Sequence, residues 1–162
     1  MQPILAKTVA GVNNAQMRAL LIPLFVYLLA TQFVWGQDAE LVVGGHRIKV
    51  EIASTPEARA QGLMQRDFLC PDCGMLFVFE APGRYVFWMN HTPLPLSIAF
   101  VAASGSLLGV EEMKPNTTDP HTASGDALYA LEMNAGWFAR HNVTQGSLVQ
   151  GLGAAPSLRR HP

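Results

Sequence analysis

Gly74 to Phe100 reads GMLFVFEAPGRYVFWMNHTPLPLSIAF, and only Glu80 and Arg84 within it carry a charge. So apolar a segment has to be buried in a core or line an apolar pocket, because leaving it in water is costly. Met75 to Phe79 and Tyr85 to Met89 are nearly continuous apolar runs, which suits central strands covered on both faces. Glu80 to Arg84 connects them. Asn90 to Leu96 then reads as a loop, since Pro93 and Pro95 force extended backbone and remove two ladder donors. Ile98 to Ala102 is the next strand. The short polar interruption Asn90-His91-Thr92 is stiffened by Trp88 before it and the prolines after it.

Upstream, Leu41-Val42-Val43 and His46 to Ile52 flank Gly44-Gly45, the signature of a tight hairpin whose turn positions need positive φ. Ser54-Thr55-Pro56-Glu57 is a helix start: a hydroxyl for the free amides, proline for the first helical position, an acid for the positive end. That helix runs two turns to Gly62, after which Leu63 and Met64 plug the core. Downstream, Ser104-Gly105 turns the chain into a strand from Leu107 to Met113. Lys114 to Gly125 is a polar loop of twelve residues, long enough to form a functional rim. Ala127 to Met133 is a strand, Gly136 to His141 a short helical turn, and Ser147 to Gln150 a last strand. The fold class is therefore mainly β (α+β), a small barrel-like rolled sheet of about seven strands with one or two short helices.

The first 36 residues read differently. Lys7 and Arg18 precede an uncharged run from Ala19 to Gly36, and the small Gly36 closes it. These are the parts of a secretory leader, with cleavage after Gly36. The expected organisation is a signal peptide over 1–36, one domain over 37–152 and a disordered tail over 153–162. Export to the periplasm or beyond follows. The alternative is an uncleaved inner-membrane anchor, because the 18-residue run approaches the ~20 residues of a span. Without the leader the chain has 9 basic and 12 acidic residues, a net charge of −3. Only Arg159-Arg160 forms a basic cluster, so no nucleic-acid face is expected.

Cys70 and Cys73, in LCPDCG, are the only cysteines. In an exported chain a local disulfide is the simplest reading, with a redox pair or half a metal site as alternatives.

Four ordered segments carry a resemblance: RAQGLMQR (Arg59–Arg66), GMLFVF (Gly74–Phe79), FWMNHTPLPLSIAFV (Phe87–Val101) and ALEMNAGWF (Ala130–Phe138). Together they resemble domain-of-unknown-function family 192, over roughly Glu40 to Gly151. The resemblance implies a small, mainly β, barrel-like domain, often behind a secretion signal, with no established activity. Many relatives carry Asp after the Pro-Leu pair, where this chain has Ser97, and acids nearby where it has Val101 and Ala102. A Gly-Asp pair near the C-terminus is here Gly146-Ser147. An acidic site borrowed from relatives is weakened accordingly.

No GxSxG, HExxH or glycine-rich phosphate loop occurs. The candidate pocket residues are Arg59, Arg66, Trp88, Met89, Asn90, His91, Thr92 and Glu132. Glu132 is the most unusual: a carboxylate between Leu131 and Met133 must pair or face a cavity. A salt bridge to Arg59 or Arg66 is the expected outcome, and a pocket acid the alternative. His91 and the loop residue His121 are the other acid–base candidates. The leading expectation is an exported, non-enzymatic binding or accessory domain for an unknown small molecule or protein. No cofactor is expected, and the membrane is a partner only if the leader is retained. The alternatives are an enzyme using Glu132 or His91, and copper handling through His91 and the thioethers of Met64, Met75, Met89, Met113 and Met133.

Overall fold

A computed structural model describes residues 38 to 154. The expected leader and most of the expected tail lie outside the described residues. β1 (Asp38–Val43) and β2 (His46–Ala53) form the anticipated hairpin, paired antiparallel from Asp38↔Glu51 to Val43↔His46. Gly44 and Gly45 turn it with φ of +56° and +91°, conformations that side chains disfavour. α1 (Pro56–Gln61) follows, its first turn capped by the Thr55 hydroxyl, which accepts from the Ala58 amide at 3.1 Å. The helix is a crossover. It returns the chain so that β3 (Cys73–Gly83) lies parallel to β2, from Lys49↔Cys73 to Ala53↔Phe77.

The remaining strands are β4 (Val86–Phe87), β5 (Leu96–Val101), β6 (Leu107–Met113), β7 (His121–Thr122), β8 (Ala127–Asn134) and β9 (Val149–Gln150). α2 (Trp137–Arg140) follows β8. The main sheet has seven strands in the order β6-β5-β8-β3-β2-β1-β9, while β4 and β7 form a separate ribbon. The sheet curls so that its two edges meet at one rim. There Ser106 bridges Leu148, and Leu107 and Gly146 exchange backbone hydrogen bonds with the opposite edge. The result is the mainly β, barrel-like roll expected from the pattern.

Side chains alternate across each strand, so the sheet buries two separate apolar layers. Inside the roll lie Leu41, Ile48, Leu76, Ala99, Leu131 and Met133, sealed by Trp137 and Phe138 of α2. On the outer face lie Met75, Phe77, Leu96, Ile98, Phe100 and Ala130, covered by Leu63, Met89 and Leu94 from the connections. Gly74 lets β3 and β8 approach closely: a Cβ there would collide with the Glu132 carbonyl and the Met133 sulfur.

One expectation is corrected. Tyr85 to Met89 is not a central strand. Only Val86 and Phe87 are extended in register, on the ribbon with β7, and Val86 and Trp88 are 55 % and 56 % exposed. Pro82 and Gly83 let β3 bulge out of its ladder with β8 after Val78, so the chain leaves the sheet before Tyr85. The run is apolar because it covers the outer face from one side. The long polar loop likewise contains β7.

Candidate functional site

The outer face carries a row of paired residues, one from each of five adjacent strands: Glu51 (β2), Met75 (β3), Glu132 (β8), Ile98 (β5) and Glu111 (β6). Three acids therefore share one line across a largely apolar face. The outer two are satisfied. Glu51 receives both guanidinium nitrogens of Arg66, one at 2.6 Å and the other closer. Glu111 pairs with His121 Nδ1 at 2.7 Å, while the Nε2 of that ring is buried without a partner. The middle acid is different. Glu132 is 5 % exposed, and its carboxyl makes no hydrogen bond or ion pair among the described residues. Burial, which disfavours the charged form, pushes its pKa up to about 8. At neutral pH it is a neutral carboxylic acid, able both to donate and to accept.

The expected salt bridge of Glu132 is thus not formed. Arg66 is taken by Glu51. Arg59 instead donates through one terminal nitrogen to the Ser54 carbonyl at 2.5 Å and the Val78 carbonyl at 2.9 Å. Both acceptors are backbone carbonyls, one just past β2 and the other where the β3–β8 ladder is interrupted, which a side-chain pattern does not reveal.

Glu132 lines a cavity of about 250 Å³ between α1 and β4. Phe77 and Phe79 of β3 form its base, and the segment Arg59 to Met64 forms one wall. Tyr85, Val86, Phe87 and Trp88 form the other, and Thr92 adds a buried hydroxyl. The aromatic side chains brace one another. Phe79 and Tyr85 stack at 3.4 Å between ring centroids, and Phe87 meets Phe77 edge-on at 4.9 Å. The Arg59 guanidinium lies 5.7 Å over the Phe79 ring. The cavity thus gathers a guanidinium, a carboxyl and an apolar aromatic lining, with the exposed Trp88 beside them.

Of the residues expected from sequence, Arg59, Trp88, Thr92 and Glu132 come together at this cavity, and four do not. Arg66 stands at the Glu51 edge of the same row. Met89 points into the outer core and is fully buried. Asn90 and His91 shape the turn: His91 has a φ of +53°, and its carbonyl accepts from the Gln65 amide at 2.8 Å. That bond ties the loop to the α1 side of the cavity. Phe77, Phe79, Tyr85 and Phe87 wall the cavity; Phe77 is at the same time the core residue expected from sequence, with Phe79 and Phe87 packed against it. The half-burial of Phe79 beside the buried Phe77 is the structural sign, invisible in composition.

A broader depression of about 540 Å³ lies beside Phe68 and Trp137. Its acid is already engaged, since Asp72 accepts from Trp137 Nε1 at 3.0 Å. Cys70 and Cys73 flank that face, bonded to each other with Cα atoms 5.1 Å apart. Ser97 is buried on the opposite face of the sheet from Glu132. It donates to Glu112 at 2.7 Å and accepts from the Gly136 amide at 2.8 Å, bracing the start of α2. Among the described residues no group of three His, Cys, Asp or Glu side chains could hold a metal ion.

The model of DUF192, described as Uncharacterized ACR, matches residues 39–151. Two crystal structures share the fold. One is a candidate transcription regulator from Sinorhizobium meliloti 1021, 33 % identical, with a TM-score of 0.71 over 74 % of this chain and 98 % of that one. The other is a protein of unknown function from Novosphingobium aromaticivorans DSM 12444, 31 % identical, with a TM-score of 0.70 over 74 % and 89 % of the two chains. No match is found among curated proteins. The chain belongs to the DUF192 family.

Proposed function

We propose that this member of the DUF192 family is an exported domain that binds a small organic molecule, without transforming it, in the cavity between α1 and β4. One observation carries the reading: Glu132 is buried among aromatic side chains and makes no hydrogen bond to the protein. The carboxyl faces the cavity with no protein partner of its own, so a ligand bound beside it is free to supply the hydrogen bond. The charge-free run behind Lys7 and Arg18 supports export, and the net acidity of the remainder supports a partner other than nucleic acid.

The test is a fragment screen by thermal shift, followed by amide chemical-shift mapping on the full chain. Hits are expected to perturb Phe77, Trp88 and Glu132 together and to weaken in Glu132→Leu. Hits that map uniformly elsewhere would refute the reading.

A second reading, an acid–base enzyme, is favoured by the pKa of Glu132 alone, since about 8 is close to an ordinary operating pH. Turnover of a bound hit, abolished in Glu132→Gln with the fold intact, would replace binding with catalysis. His91 takes no part in either reading, because it does not reach the cavity. Copper handling has weaker support: Met64 lines the cavity, but Met89 and Met133 belong to opposite apolar layers. Failure to compete for Cu(I) removes it.

A further inference from the structure

The cavity has two chemically opposite ends. Arg59 is fastened midway along β3, where its ladder with β8 is interrupted, through the Val78 carbonyl. Glu132 sits beside Met75, three residues earlier on the same strand. At roughly 3.3 Å per residue these anchor points lie about 10 Å apart along the strand. Between them the base of the cavity is Phe77, and the adjoining wall is Phe87, which meets it edge-on, with Tyr85 stacked on Phe79 beside them. Arg59 is held by one terminal nitrogen only, so the rest of its planar fork has no acceptor among the described residues. A guanidinium fixed in this way is oriented in advance for a planar anion, which it can grip with two parallel hydrogen bonds. At the other end a buried acid without a protein partner presents a hydrogen bond to an acceptor.

Resting on the binding reading above, we infer that the ligand is a short aryl or unsaturated monocarboxylate. Its carboxylate is held by Arg59, its flat apolar body lies against Phe77 and Phe87, and a carbonyl or other neutral acceptor at its far end meets Glu132. A neutral acceptor fits the inner end better than an amine. An ammonium there would force two charges into an aromatic enclosure, where desolvation consumes most of their attraction. The acid form of Glu132 asks for no such ionisation. The carboxylate belongs at Arg59, beside half-exposed side chains where water still reaches the anion.

The probe is 4-acetylbenzoate, compared with benzoate, which lacks the far acceptor, and acetophenone, which lacks the carboxylate. Binding to the full chain is followed by calorimetry and by amide shifts at Phe77 and Trp88. The expected result is affinity for 4-acetylbenzoate at least about ten-fold above either truncated probe, the usual effect of losing one charge-assisted or buried hydrogen bond. Arg59→Lys, which keeps the charge but not the fork, is expected to lower affinity for both carboxylates and leave acetophenone unchanged. Glu132→Gln, which keeps a donor, is expected to retain the preference for 4-acetylbenzoate over benzoate, and Glu132→Leu to lose it. Circular dichroism of each variant confirms the fold. Equal affinity for all three probes would overturn the two-ended assignment while leaving a binding cavity in place. Tighter binding of 4-(aminomethyl)benzoate would overturn the neutral-acceptor end. Failure of every probe to shift the cavity amides, with fragment hits also absent there, would overturn the site itself.

Discussion

Replacing Glu132 by glutamine tests the central feature of the site through stability alone. The two side chains have nearly the same shape, but only the acid titrates. The folded pKa of Glu132, about 8, lies well above the ordinary 4.5. Between those values the folded chain keeps a proton that the unfolded chain has released, so rising pH draws stability out of the native state. The loss is absent below pH 4.5, accumulates through neutrality and levels off above pH 8. At roughly 1.4 kcal/mol per pKa unit the full span is on the order of 4 to 5 kcal/mol. Water entering the cavity beside an ionised carboxylate makes this an upper figure. Glu132→Gln is therefore expected to be the more stable protein at neutral pH. Its advantage should grow by about 2 to 3 kcal/mol between pH 5 and pH 7, a large share of the 5–15 kcal/mol typical of a domain. Urea unfolding of both proteins at pH 5, 6, 7, 8 and 9, followed by fluorescence and circular dichroism, gives the difference directly. Every group common to the two proteins cancels in it. A difference that stays flat from pH 5 to 8 would mean that the carboxyl is ionised and solvated in the fold, and that Glu132 presents no neutral acid to the cavity.

Three further outcomes follow from the packing. Gly74→Ala places a methyl group against the Glu132 carbonyl and the Met133 sulfur, so it should cost about 2 to 3 kcal/mol or prevent folding, read by urea midpoint and soluble yield. Thr55→Ala removes the side-chain cap of α1 and should cost about 1 kcal/mol, whereas Thr55→Ser should restore nearly all of it. Reduction of the Cys70–Cys73 link, verified by mass spectrometry, should cost about 2 kcal/mol, because the loop it closes is only four residues long. A much larger loss would show that the link holds more than its own turn.

The parts of the fold that were legible in the sequence were those governed by local chemistry. Gly44-Gly45 could only be a tight hairpin, and Thr55-Pro56 could only open a helix that Gly62 closes. Alternation marked Ile48, Val50 and Ile52 as one face of a strand. Tyr85 to Met89 misled because an apolar run records burial without saying what does the burying. These residues lie over a sheet instead of within it, and the bulge that diverts them depends on the ladder between β3 and β8. The site was legible by residue type but not by pairing. Glu132 stood out as an acid among apolar neighbours, yet the competition for Arg59 was decided by two backbone carbonyls, and that for Arg66 by Glu51 two strands away. The Glu111–His121 pair was beyond reach for the same reason, since its members stand ten positions apart on the main sheet and on the separate ribbon.

β8 presents Leu131 and Met133 to the interior of the roll and Glu132 to the cavity on its other side. The division of labour is set by parity along one strand. Residues that keep the roll closed and residues that line the cavity never occupy the same position, although they are immediate neighbours in the chain. Selection can therefore revise the acid, the aromatic walls or Thr92 and leave the interior of the roll unchanged. The cavity lining of such a scaffold can be diversified one outward position at a time, and a library confined to Thr92 and Glu132 would vary that lining on a constant framework.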